Sequence, residues 1–314
     1  MKCPPVLLIA WRRPNTLSKV IDALRPVAPS RIFVACDGPR PNHPTEAKRV
    51  LAVREAIDQG IDWPCKIERL YSDTNQGCRL GVSKAIDWFF DQVEEGIILE
   101  DDCVPHPDFF SYCAELLARY RHDSRVWCIS GDNFQNGHWR GDGSYYFSRY
   151  NHCWGWASWR RCWQHYDSEL SEWQALLDSG LLETMFEDPL ERQYWSCIWQ
   201  RLIDVGQPDT WDYQWTFTCL VNGGLTALPN RNLVSNVGFG PDAAHTTRIA
   251  MPTVVEQGLG RLIHPRFLLR DLQADRFSFN NHFGGSVMLR SRQPLQQVKA
   301  LLRHYLYRLL PAFP

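Results

Sequence analysis

The chain has almost no net charge. Its 34 lysines and arginines stand against 35 aspartates and glutamates, a formal balance of -1. That excludes the basic footprint over many phosphates on which non-specific nucleic-acid binding depends. Long apolar runs are missing as well: no stretch reaches 18 apolar residues, so no membrane-crossing helix is expected. The first apolar stretch is six residues long before Arg12 and Arg13. This is too short for the apolar region of a signal peptide. There is no low-complexity segment, no internal repeat, no CxxC pair and no Cys/His spacing of the zinc-finger kind, which argues against a structural zinc site. The 11 cysteines are odd in number, and several sit in apolar runs (Cys36, Cys113, Cys128, Cys219). They read as buried thiols of a reducing compartment, so a cytoplasmic location is expected. What the chain does have is tryptophan, 14 residues of it, and a 44% hydrophobic composition that suffices for one large domain or two small ones.

Strand and helix signals alternate through the first 130 residues. Strands are expected over Val6–Trp11, Arg31–Cys36, Lys66–Tyr71, Gly96–Leu99 and Arg125–Ser130. Helices are expected over Asn15–Leu24 with Asn15 as N-cap, Glu46–Gln59, Val82–Val93 and Phe109–Tyr120. This alternation predicts an α/β fold: a mainly parallel, Rossmann-like sheet with helices on both faces and ligands outside the carboxyl ends of the strands. After about residue 135 tryptophans become frequent. The organisation predicted is one compact unit of two halves, 1–135 and 136–250, followed by an extension (251–314).

Several clusters can carry chemistry. Ile97-Ile98-Leu99 runs into Glu100-Asp101-Asp102. Three adjacent carboxylates at the end of a buried strand repel one another unless a cation or solvent compensates, and hard oxygen ligands suit Mg²⁺ or Mn²⁺. An inert, solvated acidic loop is the alternative. Asp212, in Trp211-Asp212-Tyr213-Gln214-Trp215, is a carboxylate among aromatics and a candidate general base, or else a cap for a helix over Gln214–Val221. The Asn75–Gly81 segment precedes a helix, and with Arg79 and Lys84 it suits an anion. The Gly-rich run from Asn236 to His245 can approach a phosphate and offer an imidazole to a metal. Most tryptophans are expected in the core. Asn151-His152-Cys153-Trp154-Gly155-Trp156 is polar enough to place Trp154 and Trp156, with Trp211, against a substrate. A helix over Leu295–Leu310 sets Leu295, Val298, Leu302, Leu306 and Leu309 on one face, with Lys299, Arg303 and Arg308 supplying charge. It suits peripheral contact with an anionic membrane, or packing on the domain.

Taken in order, Val6–Pro14, Asp37-Gly38, Leu99–Asp102, Pro107–Phe110, Gly155-Trp156 and Trp211-Asp212 resemble the A-type (GT-A) nucleotide-sugar glycosyltransferases, and within them the N-acetylglucosaminyltransferase I-like family. The resemblance spans residues 4–246, and makes 1–135 the nucleotide-sugar-binding half and 136–250 the acceptor and catalytic half. It implies a metal-dependent, inverting transfer from a nucleotide-sugar, UDP favoured, to a glycan or lipid-linked acceptor. Asp102 and His245 would then hold Mn²⁺ or Mg²⁺, with Glu100 and Asp101 toward ribose and sugar. Ala10, Arg12 and Asp37 would lie by the base, and Asp212 would act as catalytic base. The chain reads Trp-Asp-Tyr-Gln-Trp where the family has Trp-Asp-Asp-Trp. The competing classes are a metal-dependent phosphoesterase or nucleotidyltransferase, and a non-catalytic sugar-binding protein. Oligomeric state is not readable.

Overall fold

A computed structural model describes residues 2–239 and 258–291. The first apolar run becomes β1 (Val6–Ala10), buried along almost its whole length, as a strand covered on both faces must be. Then follow α1 (Pro14–Leu24), β2 (Arg31–Cys36), α2 (Pro44–Gly60), β3 (Lys66–Tyr71), α3 (Gly77–Gln92) and β4 (Glu95–Glu100). α1 packs through Leu17, Val20, Ile21 and Leu24, a one-faced spacing. Its start differs from expectation: Pro14 opens the helix, whose fixed φ suits a first turn, and Asn15 is not the cap. β2 and β4 both pair with β1 in parallel, so the chain leaves β1 on one side and returns on the other. The crevice at such a reversal is where an open α/β sheet binds ligands.

The triplet is followed by β5 (Cys103–Pro105), α4 (Pro107–Tyr120), β6 (Val126–Ser130), β7 (Tyr145–Ser148) and β8 (Trp156–Trp159). Four helices come next: α5 (Arg160–Trp163), α6 (Trp173–Ser179), α7 (Leu182–Met185) and α8 (Pro189–Val205). Then come α9 (Asp212–Val221), β9 (Leu225–Pro229), β10 (Val234–Asn236), α10 (Leu272–Asn281) and α11 (Gly285–Ser291). The main sheet has the order β3-β2-β1-β4-β8-β6-β9-β7, and β5 pairs with β10 in a small second sheet. The fold is α/β as expected, with a mixed sheet: β8 runs antiparallel to β4 and β6, and β7 antiparallel to β9.

The aromatic excess is mostly interior. Trp156, Trp163, Trp211 and Trp215 pack into the main core around the centre of the sheet. Trp173, Trp195 and Trp199 form a second core with Phe217 and Phe279, joining α6, α8, α9 and α10. At the end of β7, Arg149 is buried beside Glu191 of α8 and Asp275 of α10. All eleven cysteines are free thiols. No helix among the described residues is long and apolar enough to cross a membrane. The expected amphipathic helix over 295–310, and His245, lie outside the described residues.

Candidate functional site

The site is assembled at the ends of β1 and β4. Register places Ile9 opposite Glu100, so Trp11, Arg12 and Arg13 emerge level with Asp101 and Asp102. The Trp11 backbone N–H donates to Asp101, and the Trp11 indole donates to the Gly38 carbonyl. Arg13 lies between two carboxylates, bonding Asp101 through Nη2 and Asp102 through Nη1 at 2.8 Å. One guanidinium thus faces three acids. Burial, then repulsion from Asp102 and Asp101, pushes Glu100 up to about 8. Burial also pushes Asp101 up to about 6, against the attraction of Arg13. Negative charge here is incompletely compensated. The loop after β10 closes over it: Val237 N–H donates to the Asp102 carbonyl, and a Cβ on Gly238 would meet Asp102 Oδ2 at 1.9 Å. Only glycine permits that approach.

Two pockets meet at this point, sharing Arg13, Cys78 and Glu100. The first, about 880 Å³, lies over the ends of β1 and β2 and the start of α3. Ala10, Arg12, Asp37, Lys84, Glu100 and Asp101 all line it. Asp37 is held by the Gly38 and Gln76 backbone N–H groups and the Asn75 amide, and burial raises its pKa. Arg12 pairs with Glu46 and lies over the Trp11 ring.

The second pocket, about 600 Å³, is reached past Asp102 and lies under the aromatic half. Asp212 lines it from the first turn of α9, where the Thr210 hydroxyl donates to its carboxylate. Trp154 forms another wall, edge-on to Phe134 and Phe239. Asp132, Asn151 and His152 line it too, all buried. Asp132 Oδ2 accepts the Trp154 backbone N–H; among the described residues Asp132 Oδ1, both ends of the Asn151 amide and His152 Nε2 have no partner. Burial pushes Asp132 well above the usual carboxylate range, and burial followed by the facing His282 pushes His152 well below the usual imidazole range.

Some expected placements fail for clear reasons. α3 begins at Gly77 rather than Val82, and its first N–H groups are already taken: Cys78 and Arg79 donate to the carboxylate of Asp209 at 2.8 and 3.1 Å. The chain's own aspartate occupies the anion position, and the Arg79 side chain turns outward to Glu169. Trp156 is not at a substrate surface; it is stacked in the core on Trp211, which is itself buried and lines the second pocket. α9 begins at Asp212, with Trp211 in the N-cap position. Arg13, Asp132 and Asp209 carry much of the site and have no local sequence signal beyond their types. Their partners lie 88, 22 and 131 residues away in the chain.

No family model matches the chain, and no curated protein does. Solved structures overlap it in part. HddC from Yersinia pseudotuberculosis, complexed with GMP-PN, is 8% identical, with 52% of this chain and 80% of that one covered at a TM-score of 0.32. A 4-diphosphocytidyl-2C-methyl-D-erythritol synthase from Anaerococcus prevotii is 11% identical over 56% and 84%, at 0.28. A cytidylyltransferase from Leptospira borgpetersenii is 12% identical over 66% and 73%, at 0.29. These findings correct the resemblance drawn from the sequence. Two of these neighbours are named for cytidylyl chemistry, and none of the three as a glycosyltransferase. Sugar transfer from a UDP-sugar, and the glycan or lipid-linked acceptor, are set aside with it. Overlap this slight transfers no activity from the neighbours to this chain.

Proposed function

We propose that the protein is a metal-dependent nucleotidyltransferase that moves a nucleotidyl group from a nucleoside triphosphate to an acceptor hydroxyl. The observation that carries this reading is the pair of pockets meeting at Arg13 and Glu100, at the reversal point of the sheet. A volume of about 880 Å³ accommodates a nucleotide, and its neighbour accommodates the acceptor.

The residues fit a hard divalent cation, Mg²⁺ or Mn²⁺: Asp101 and Asp102 would hold it, and their incompletely compensated charge favours it. Among the described residues no group of three His, Cys, Asp or Glu side chains surrounds one point, so phosphate and water would complete the shell. When bound, the ion supplies charge neutralisation at the phosphates. Arg13 orients the phosphates from between the two aspartates, and Trp11 and Asp37 shape the base end. Asp212 takes the proton of the acceptor hydroxyl. Its oxygen then bonds to the α-phosphorus, the bond from that phosphorus to the bridging oxygen breaks, and pyrophosphate leaves with the electron pair. The acceptor side carries Glu100, Asp102, Asp132 and Asp212 against Arg13, which favours a hydroxyl over a phosphate acceptor.

The test is pyrophosphate release from each nucleoside triphosphate with Mg²⁺, Mn²⁺ or EDTA, for wild type, Asp102→Asn and Asp212→Asn. Release that EDTA abolishes and that Asp212→Asn slows by about 10²–10⁴ is expected. No pyrophosphate from any triphosphate would overturn the reading. So would release of a nucleoside diphosphate from a nucleotide-sugar in its place.

A further inference from the structure

The second pocket carries an unspent set of hydrogen-bonding groups. Asp132, Asn151 and His152 are exposed by 1%, 8% and 6%. Between them they leave one carboxylate oxygen, an amide oxygen, an amide nitrogen and a ring nitrogen without a partner among the described residues. Burying such groups without partners is unfavourable, so a fold does not retain several of them in one pocket without return. They come from two separate places in the chain. Asp132 follows the end of β6, and Asn151 and His152 lie on the link from β7 to β8. All three line one pocket, beside the half-buried ring of Trp154.

We infer that this pocket selects a neutral, polyhydroxylated ring, with Asp132, Asn151 and His152 as its specificity-determining residues and the Trp154 ring as its apolar floor. The inference deepens the proposed function, since it names the acceptor class of the same site. An amide both donates and accepts, an imidazole with one proton does the same through its two nitrogens, and a carboxyl group adds a third partner. Groups of this kind match hydroxyls, which also donate and accept. The CH face of a saturated ring packs on an aromatic face while its rim stays polar. Carboxyl groups supply the selectivity: Glu100, Asp102, Asp132 and Asp212 line the pocket, and Arg13 is engaged by Asp102 and by the neighbouring Asp101. A ring bearing a carboxylate would meet repulsion there with no free cation among the described lining residues.

The experiment is saturation-transfer NMR on the full chain without nucleotide, using neutral hexoses and N-acetylhexosamines against the matching uronic acids. Neutral rings should show transfer, with the uronic acids at least tenfold weaker. Asn151→Ala and the near-isosteric Asp132→Asn should each weaken the neutral ring about tenfold, the value of one hydrogen bond. Both variants should keep the wild-type thermal shift on adding a nucleoside triphosphate, which shows that the first pocket is intact. Absence of transfer to every neutral ring, equal binding of the uronic acids, or unchanged binding in both variants would overturn the inference. Ring binding with no pyrophosphate release from any triphosphate would support the inference and sink the proposed reaction. Release without ring selectivity would do the reverse.

Discussion

Two tryptophans two positions apart show how differently a single residue type is used. Trp156 is 1% exposed and stacks on Trp211 with ring centroids 5.7 Å apart. Trp154 is half-buried and stands at the pocket wall. Gly155 between them adopts a φ of +79°, which swings the chain from the pocket into β8. Replacing Trp156 by alanine should cost about 3–5 kcal/mol, as for a large ring removed from a packed core. Trp154→Ala should cost clearly less, because its ring already faces the pocket on one side, and should instead weaken binding of the neutral ring. Urea denaturation of both variants, read alongside saturation transfer, separates the two outcomes. Equal losses of stability would show that Trp154 is a core residue. The local sequence marked this cluster as too polar for a pure core, and it was the turn at Gly155, leaving Trp154 outside β8 and Trp156 at its start, that decided which tryptophan turned inward.

Among the elements, α3 is the one whose role differs most from its sequence. Its opening segment has the look of an anion site, yet the carboxylate of Asp209 already satisfies the N–H groups of Cys78 and Arg79. Gly77, at a φ of +81°, is shaped around that carboxylate, since a Cβ there would approach Asp209 Oδ2 to 2.7 Å. The interaction is a helix cap delivered from a distant loop rather than from the preceding residue. Asp209→Ala should therefore lower stability by about 0.5–2 kcal/mol, the range of a lost N-cap, measured as a shift in the urea midpoint. Because Asp209 is three residues before Asp212, the same change should also loosen the loop that positions the candidate base. No change in stability would mean that water replaces the cap without loss. Helix length and apolar periodicity were readable locally; the identity of the cap was not, because 131 residues separate donor from acceptor.

Across the whole molecule, the aromatic half is tied to the sheet by buried charge. Arg149 follows β7 and bonds Glu191 of α8, while its Nε lies 4.0 Å from Asp275 of α10. The same Asp275 accepts from Ser148 and from Arg270. Removing one partner from such a cluster strands the others, so Arg149→Ala should cost about 3–5 kcal/mol. Hydrogen exchange should quicken first in α10 and α8, with the parallel strands protected longer. Uniform loss of protection would show that the two cores unfold as one unit. Asn151 and His152 follow this arginine after Tyr150, so the packing that holds the halves together also sets the wall of the second pocket.

The sequence by itself determined the α/β alternation, the buried parallel strands and the acidic triplet at a strand end, because each is written in local periodicity and composition. Tertiary structure decided the rest. The strand order brought Arg13 between Asp101 and Asp102 and inserted the antiparallel β8 beside β4. It buried Trp156, spent the start of α3 on Asp209, and gathered Asp132, Asn151 and His152 around one cavity. The family likeness failed at the same level: short motifs record which residue types lie near a strand end, whereas the reaction depends on which of them converge in space.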